Sequence, residues 1–293
     1  MSTFVAYWDG SPLSAIEQLS LTSFAAKGHT VELFSYGQPE GIPPGVTVRD
    51  AAEVLPRNER TVTLLERRAY SKISDLLRYL LLIEPGRTWV DVDVILLADD
   101  VPSTPTLFAR EDDIHVNGAV LRLEPDSDLH RRLLEETVGL TSEELLSTPH
   151  GFPGPLLLTS VLDELDLKRL ALPPESLYPV ASRDLWRLYD PREREWCDQT
   201  LYGATTLHLW NEFLRRAELK NKRPPRASWL DRAMRTHDIE LPSERVDVGW
   251  IRGPWRQMLP DPPPAPAPRT PHRDRSRRAV RKLVRTARTL LAR

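Results

Sequence analysis

The sequence predicts an α/β domain with a largely parallel sheet, and three observations predict it. Apolar, β-branched runs alternate with stretches of 3.6-residue periodicity through the first 140 residues. Capping and turn residues fall between those runs. Seven prolines in the twelve residues from Pro260 to Pro271 then end the patterned region, because proline removes amide donors and favours extended polyproline II. With 293 residues, 40 basic against 42 acidic, and 40% hydrophobic, the chain is ordinary globular material, neither fibrous nor wholly disordered.

In order along the chain, Phe4 to Trp8 reads as a first strand and Asp9-Gly10 as a turn. Ser14-x-x-Glu17 is a capping box opening a helix that stops at Lys27-Gly28, where glycine accepts the left-handed cap. Thr30 to Ser35 is a second strand. Val62, Leu65, Ala69, Ile73, Leu76, Leu77 and Leu80 define the apolar face of one long helix over 61–83, with Ser71, Asp75, Arg78 and Tyr79 on its opposite face. A strand follows over 88–97, another over 117–123, and a helix over 129–138. Beyond residue 140 the pattern is less regular, with helices expected near 142–146, 156–165, 211–218 and 228–236. Ligands of such sheets gather at the carboxyl ends of strands, which directs attention to Trp8, Asp91 and Asp93.

The charge is unevenly placed: residues 1–272 carry a net −10 and residues 273–293 a net +8. The expected organisation is therefore a folded domain over 1–258, a Pro-rich linker over 259–272 and a basic tail over 273–293. In the tail, Val280, Leu283, Val284, Ala287, Leu290 and Leu291 share one helical face and arginines surround it. Such a helix suits an anionic membrane surface. Nucleic acid, an acidic protein partner and a solvated tail remain alternatives. The longest apolar run, Leu80 to Ile83, falls short of the roughly 18 residues a membrane span needs. Met1 to Trp8 lacks the pattern of a signal peptide. The lone Cys197 leaves no intramolecular disulfide and suits a reducing compartment. The expected location is cytoplasmic, at most peripheral at the inner face of a membrane.

The sharpest chemical feature is Trp89-Val90-Asp91-Val92-Asp93, two acids interrupting an apolar strand. Strand alternation puts both on one face, with roughly 6.6 Å between their Cα atoms. Ionised and unpaired, they repel and are costly to bury. A hard divalent ion such as Mn²⁺ or Mg²⁺ resolves the conflict. The plain alternative is a strand end emerging into solvent. Asp75 and Arg78, at i and i+3, taken by themselves read more readily as a surface ion pair. No Gly-x-Ser-x-Gly elbow, His-Glu-x-x-His pair, phosphate-cradling loop or dinucleotide fingerprint occurs.

Ser74-Asp75-Leu76-Leu77-Arg78-Tyr79 followed, sixteen residues after Asp75, by Asp91-Val92-Asp93 resembles the signature of DXD-type sugar transferases with a GT-A fold. These include clostridial glucosylating toxins, outer-chain mannosyltransferases and glycolipid α-galactosyltransferases. The likeness runs from Tyr7-Trp8-Asp9-Gly10 to about Trp210, and it implies a Rossmann-like, mixed but mostly parallel sheet flanked by helices. By that resemblance Asp75 and Ser74 lie against the donor sugar or ribose and Arg78 against the sugar or phosphate. Asp91 reaches ribose and the metal's water shell, Asp93 ligates the metal, and Trp8 stacks on the base. Trp89 stands where the family has a donor-contacting tyrosine. His115-Val116-Asn117-Gly118 resembles the strand bearing a donor-sugar Asn, here Asn117. Gly154-Pro155 with Thr159 resembles a helix start near the donor. Thr206-Leu207-His208-Leu209-Trp210 resembles the late His-x-Trp strand, making His208 a third metal or phosphate ligand. His29, His130, His150, His237 and His272 show no paired spacing.

The activity so implied is metal-dependent transfer of a sugar from a nucleotide diphosphate sugar, with UDP favoured and configuration retained. The acceptor is a glycan, a lipid-linked molecule or a protein. A non-catalytic sugar-nucleotide or glycan-binding protein on the same fold, and a scaffold acting through its tail, are the competing readings.

Overall fold

The computed structural model of the chain describes residues 1–255, so the Pro-rich linker and the basic tail lie outside the described residues. A six-stranded mixed sheet organises the fold, in the order β3-β2-β1-β4-β7-β6. Its strands are β1 (Thr3–Trp8), β2 (Thr30–Ser35), β3 (Val46–Asp50), β4 (Arg87–Val90), β6 (Leu107–Arg110) and β7 (Val116–Arg122), while β5 (Val94–Leu96) and β8 (Thr206–His208) pair separately. The first four strands of the order run parallel, and β7 is antiparallel to both β4 and β6. From β1 the chain builds outward through β2 and β3, then returns to place β4 on the other side of β1. The gap between the carboxyl ends of β1 and β4 is thus the switch point at which such sheets hold ligands.

Helix α1 (Ala15–Ala25) starts on the expected capping box, with Ser14 and Glu17 satisfying each other's backbone amides. The long helix expected over 61–83 is instead two, α2 (Glu59–Glu66) and α3 (Tyr70–Leu81). The break is a Schellman end: Arg68 takes φ of 52°, its amide bonds Leu65 O and the Ala69 amide bonds Leu64 O. Val62, expected in the core, is exposed as a result of this break, and Ala69 caps α3. Helix α3 is buried nearly all round, so Asp75, Arg78 and Tyr79 face protein and not solvent. Tyr79 is packed in the core and donates its hydroxyl to Pro153 O at 2.9 Å.

The strand expected over 88–97 is also divided. The chain leaves the main sheet at Asp91, turns through Val92 and Asp93, and re-forms as β5 against β8. Two carboxylates inside a central strand, walled by β1 and β7, would have no partners; the turn gives each of them some. Helices α4 (Asp128–Val138), α5 (Ser142–Ser147) and α6 (Pro155–Glu164) follow, with α7 (Pro174–Leu177), α8 (Arg194–Thr200), α9 (Asn211–Arg216) and α10 (Trp229–Thr236) in the second half. α2, α3, α4 and α6 share one core with Val5, Tyr7 and Trp89 of the sheet. Phe4, Ala6, Leu33 and Val90 join Leu21 and Phe24 of α1 in another. The second half forms a third core that includes Ala15, Ile16 and Leu19 of α1, so it packs on the first half.

Candidate metal and donor site

The residues at the switch point are joined by a short chain of ion pairs. Asp75 and Arg78, on successive turns of α3, pair at 3.0 Å, and Arg78 reaches on to Asp91 Oδ1 at 2.8 Å. Both Asp75 and Arg78 are buried, while Asp91 keeps an edge to solvent. A surface ion pair is therefore excluded: this is a desolvated charge network, in which removing one partner costs far more than at a surface. Trp89, buried in β4, donates its indole N–H to the same Asp91 oxygen at 2.6 Å, and the Arg78 guanidinium lies 5.1 Å from its ring centre. Trp89 thus acts on Asp91 and is only 1% exposed, which leaves it no open face for a ligand. Asp91 Oδ1 is committed to Arg78 and Trp89, leaving Oδ2 for another partner.

Two glycines make this network possible. A Cβ on Gly154 would lie 2.7 Å from Asp75 Oδ1, and one on Gly118 would lie 2.9 Å from an Arg78 terminal nitrogen. Gly154 precedes Pro155 at the start of α6, so the Asp75 carboxylate sits at that helix's amino end, where the dipole favours negative charge. Thr159 of α6 accepts the Val116 amide at 2.9 Å, tying the helix to β7. Burial nonetheless raises the Asp75 pKa to about 6, with Arg78 opposing the shift. Lys72, one turn earlier on α3, fixes the loop before α6 through Thr148 and the carbonyls of Pro149 and Phe152.

Asp93 is reached from the other direction. Val94 and His208 are paired in the β5–β8 register, which sets His208 Nε2 3.4 Å from Asp93 Oδ2. The same oxygen accepts the Asn211 amide at 2.6 Å, and the Asp93 carbonyl accepts the Leu209 amide at 2.8 Å. Burial alone would raise Asp93, but the charge and hydrogen bond of His208 and the Asn211 amide outweigh it and hold its pKa low. Burial opposes protonation of His208, yet Asp93, with Asp91 and Glu111 beyond it, raises its pKa. The ring lies between Trp210, 4.1 Å between centres, and Tyr178 at 5.9 Å. Ligand atoms of Asp91, Asp93 and His208 fall within 4.8 Å of one another. Two carboxylates and an imidazole at a partly open rim suit Mn²⁺, and Mg²⁺ less well.

Around this centre, Trp8 ends β1 half-buried, donates its indole N–H to Ser11 O at 2.7 Å, and carries Lys220 Nζ 4.4 Å from its ring centre. Ser74 is half-buried beside Asp75 on α3, and its hydroxyl makes no hydrogen bond among the described residues. Asn117 is buried in β7, donates to Glu111 at 2.8 Å and accepts the Ala119 amide at 2.7 Å. The pKa of Glu111 is raised by burial, against the Asn117 hydrogen bond.

Glu111, Asn211, Glu17 and Lys220 were not legible as neighbours of the site. Glu17 is fully buried; one oxygen closes the α1 capping box, and the other accepts from Asn211 Nδ2 at 2.7 Å and Lys220 Nζ at 2.9 Å. A capping box accounts for a glutamate at that position, so the sequence offers no reason to seek a second role. Asn211 directly follows the His-x-Trp segment, and that adjacency was its one signal.

No protein family matches the sequence, and no curated protein matches it. Among solved structures the chain is similar to the PaToxG glycosyltransferase, at 12% identity and a TM-score of 0.40, covering 88% of this chain and 85% of that one. It is also similar to the glycosyltransferase GlyE of Streptococcus pneumoniae TIGR4, at 13% identity and a TM-score of 0.39, and to the apo form of GlyE at 12% and 0.38. The chain spans 63% of the length of either GlyE chain. Likeness of this size says nothing of substrate or chemistry, which rest on the side chains.

Proposed function

We propose that the protein is a metal-dependent, retaining glycosyltransferase that moves a sugar from a nucleotide diphosphate sugar, with UDP favoured, to a glycan, lipid-linked or protein acceptor. The observation that carries this reading is the convergence of Asp91, Asp93 and His208 within 4.8 Å, beside the buried Asp75–Arg78 pair and at the sheet's switch point. Asp91, Asp93 and His208 hold the metal. When bound, Mn²⁺ or Mg²⁺ supplies positive charge that stabilises the departing diphosphate. Trp8 offers its indole face to the base, where stacking contributes about 1–3 kcal/mol. Asp75 accepts from sugar hydroxyls, and Arg78 holds Asp91 and Asp75 in place with its remaining donors toward the sugar or phosphate. Asn117 lies along the same wall. The acceptor hydroxyl attacks from the face the leaving group departs, hydrogen-bonded to the departing phosphate oxygen, so no side-chain base is required. The whole of 1–258 is the catalytic domain in this reading, and the basic tail holds it at an anionic membrane surface.

The test is the thermal midpoint of the protein with UDP and with GDP, each with and without Mn²⁺. Ligand at 100 times its dissociation constant stabilises by about 2.7 kcal/mol. A UDP shift that needs Mn²⁺ and vanishes in Asp93→Asn is expected, followed by donor turnover in the unaltered protein. Absence of any nucleotide shift, with the protein folded, would remove the donor site. Binding without turnover would leave a sugar-nucleotide-binding protein.

A further inference from the structure

A separate group of basic residues lies within the second half, in the segment between α9 and α10, in α10 itself and just after it. Arg223, Arg226, Arg235 and Arg245, with Ala227 and Asp231, line a solvent-open cleft of about 530 Å³. Four guanidinium groups here stand out because residues 1–272 carry a net −10. Arg235 is held by Asp231 at 3.2 Å, whereas Arg223, Arg226 and Arg245 form no ion pair among the described residues. The backbone holds two of them side by side. Arg223 and Arg245 are opposed in a parallel bridge, fixed by the Arg223 amide on Glu244 O and the Val246 amide on Arg223 O. Like charges directly opposed in this way destabilise the pairing unless an anion lies between them.

Arginine's planar fork matches phosphate through two parallel hydrogen bonds, and several forks around one cleft suit a phosphate ester better than a diffuse negative surface. Asp231 stands at the same wall, and its charge is already taken up. Its Oδ2 accepts from the Ala227 amide at 3.1 Å and holds Arg235, which leaves Arg223, Arg226 and Arg245 for an anion. The amino end of α10, capped by Ser228, adds positive potential at the same wall. We propose that this cleft binds a phosphate ester, with the phosphate on Arg223, Arg226 and Arg245. The site shares no residue with the metal centre and does not depend on glycosyltransferase activity there.

Calorimetric titration of the full chain with glucose 6-phosphate, inorganic phosphate and glucose, without nucleotide or metal, tests it. Removing a charge-assisted hydrogen bond weakens affinity about tenfold or more. The double variant Arg226→Ala/Arg245→Ala is therefore expected to weaken glucose 6-phosphate binding by at least about tenfold. Both arginines are exposed, and an unchanged thermal midpoint verifies the fold of the variant. Glucose 6-phosphate is expected to bind more tightly than glucose, which lacks the phosphate, and equally well to Asp93→Asn. A parallel arm uses vesicles with and without phosphatidylinositol. Binding there that the double variant abolishes, without binding of the soluble sugar phosphate, assigns the ester to a lipid headgroup and keeps the site. No saturable binding in either arm, or equal binding by the double variant, overturns it.

Discussion

At the scale of single residues, the site is defined as much by what is missing from two glycines as by its charged groups. Gly154→Ala places a methyl group 2.7 Å from a carboxylate that cannot swing away, since Asp75 is buried and paired to Arg78. We expect a loss of about 1–3 kcal/mol in urea unfolding, together with weakened Mn²⁺-dependent UDP binding as Arg78 and Asp91 shift. A full-strength UDP shift in a normally stable variant would show that the Asp75 position is unimportant. Asp75 also carries a pH dependence. Its folded-state pKa of about 6 lies above the ordinary carboxylate value of 3.8, so the fold binds that proton more tightly than the unfolded chain does. The resulting penalty is absent below about pH 4, complete above about pH 6, and near 3 kcal/mol at most. Stability therefore falls through this window as pH rises, by an amount that Asp75→Asn removes. Parallel pH profiles of unfolding free energy for the two proteins would contradict the assignment.

Among the elements, the joint between α1 and the segment after β8 does the most for the site. Glu17 serves α1 as a capping residue and serves Asp93 indirectly, by holding Asn211, whose amide bonds the Asp93 carboxylate. Glu17→Ala removes both at once and leaves Lys220 without its buried partner. A loss of about 2–4 kcal/mol is expected. Glu17→Gln separates the two roles: it keeps hydrogen bonds to Ser14 or Asn211 while removing the charge facing Lys220. Its stability should fall by less, and Mn²⁺ affinity should fall about threefold to tenfold, or about 0.7–1.4 kcal/mol, as Asn211 loosens. Unchanged Mn²⁺ affinity in both variants would confine Glu17 to capping. The Schellman break at Arg68 matters for the same reason of placement: it frees α3 from the line of α2 and lets its Asp75–Arg78 face turn inward.

For the whole molecule, charge is distributed so that an acidic body precedes a basic end, and in the proposed function the basic end meets a membrane. Within residues 1–255 no helix is long and apolar enough to cross a bilayer. Each basic residue near an anionic surface contributes about 1 kcal/mol. The full chain should float with vesicles containing anionic lipid and lose that binding as salt rises, whereas a chain ending at residue 258 should not float. Equal partitioning of the two would remove the membrane from the proposed function.

The sequence by itself determined the α/β alternation, the boundaries of β2, the α1 capping box, and the paired acids Asp91 and Asp93 as residues to look for. These follow from local chemistry: periodicity, capping and acids set in an apolar run are legible within a few residues, whereas Asp75, Arg78 and His208 joined the set only through the resemblance to DXD-type sugar transferases. Tertiary structure decided that β4 stops at Asp91, that β7 runs antiparallel, and that α3 is buried on its polar side. It also decided that Glu17, Glu111 and Lys220 stand beside that set. In each case the cause is a partner distant in sequence, such as Asn211 for Asp93 or Gly154 for Asp75. A buried charge takes whatever conformation reaches its partner, and no local pattern records where that partner lies.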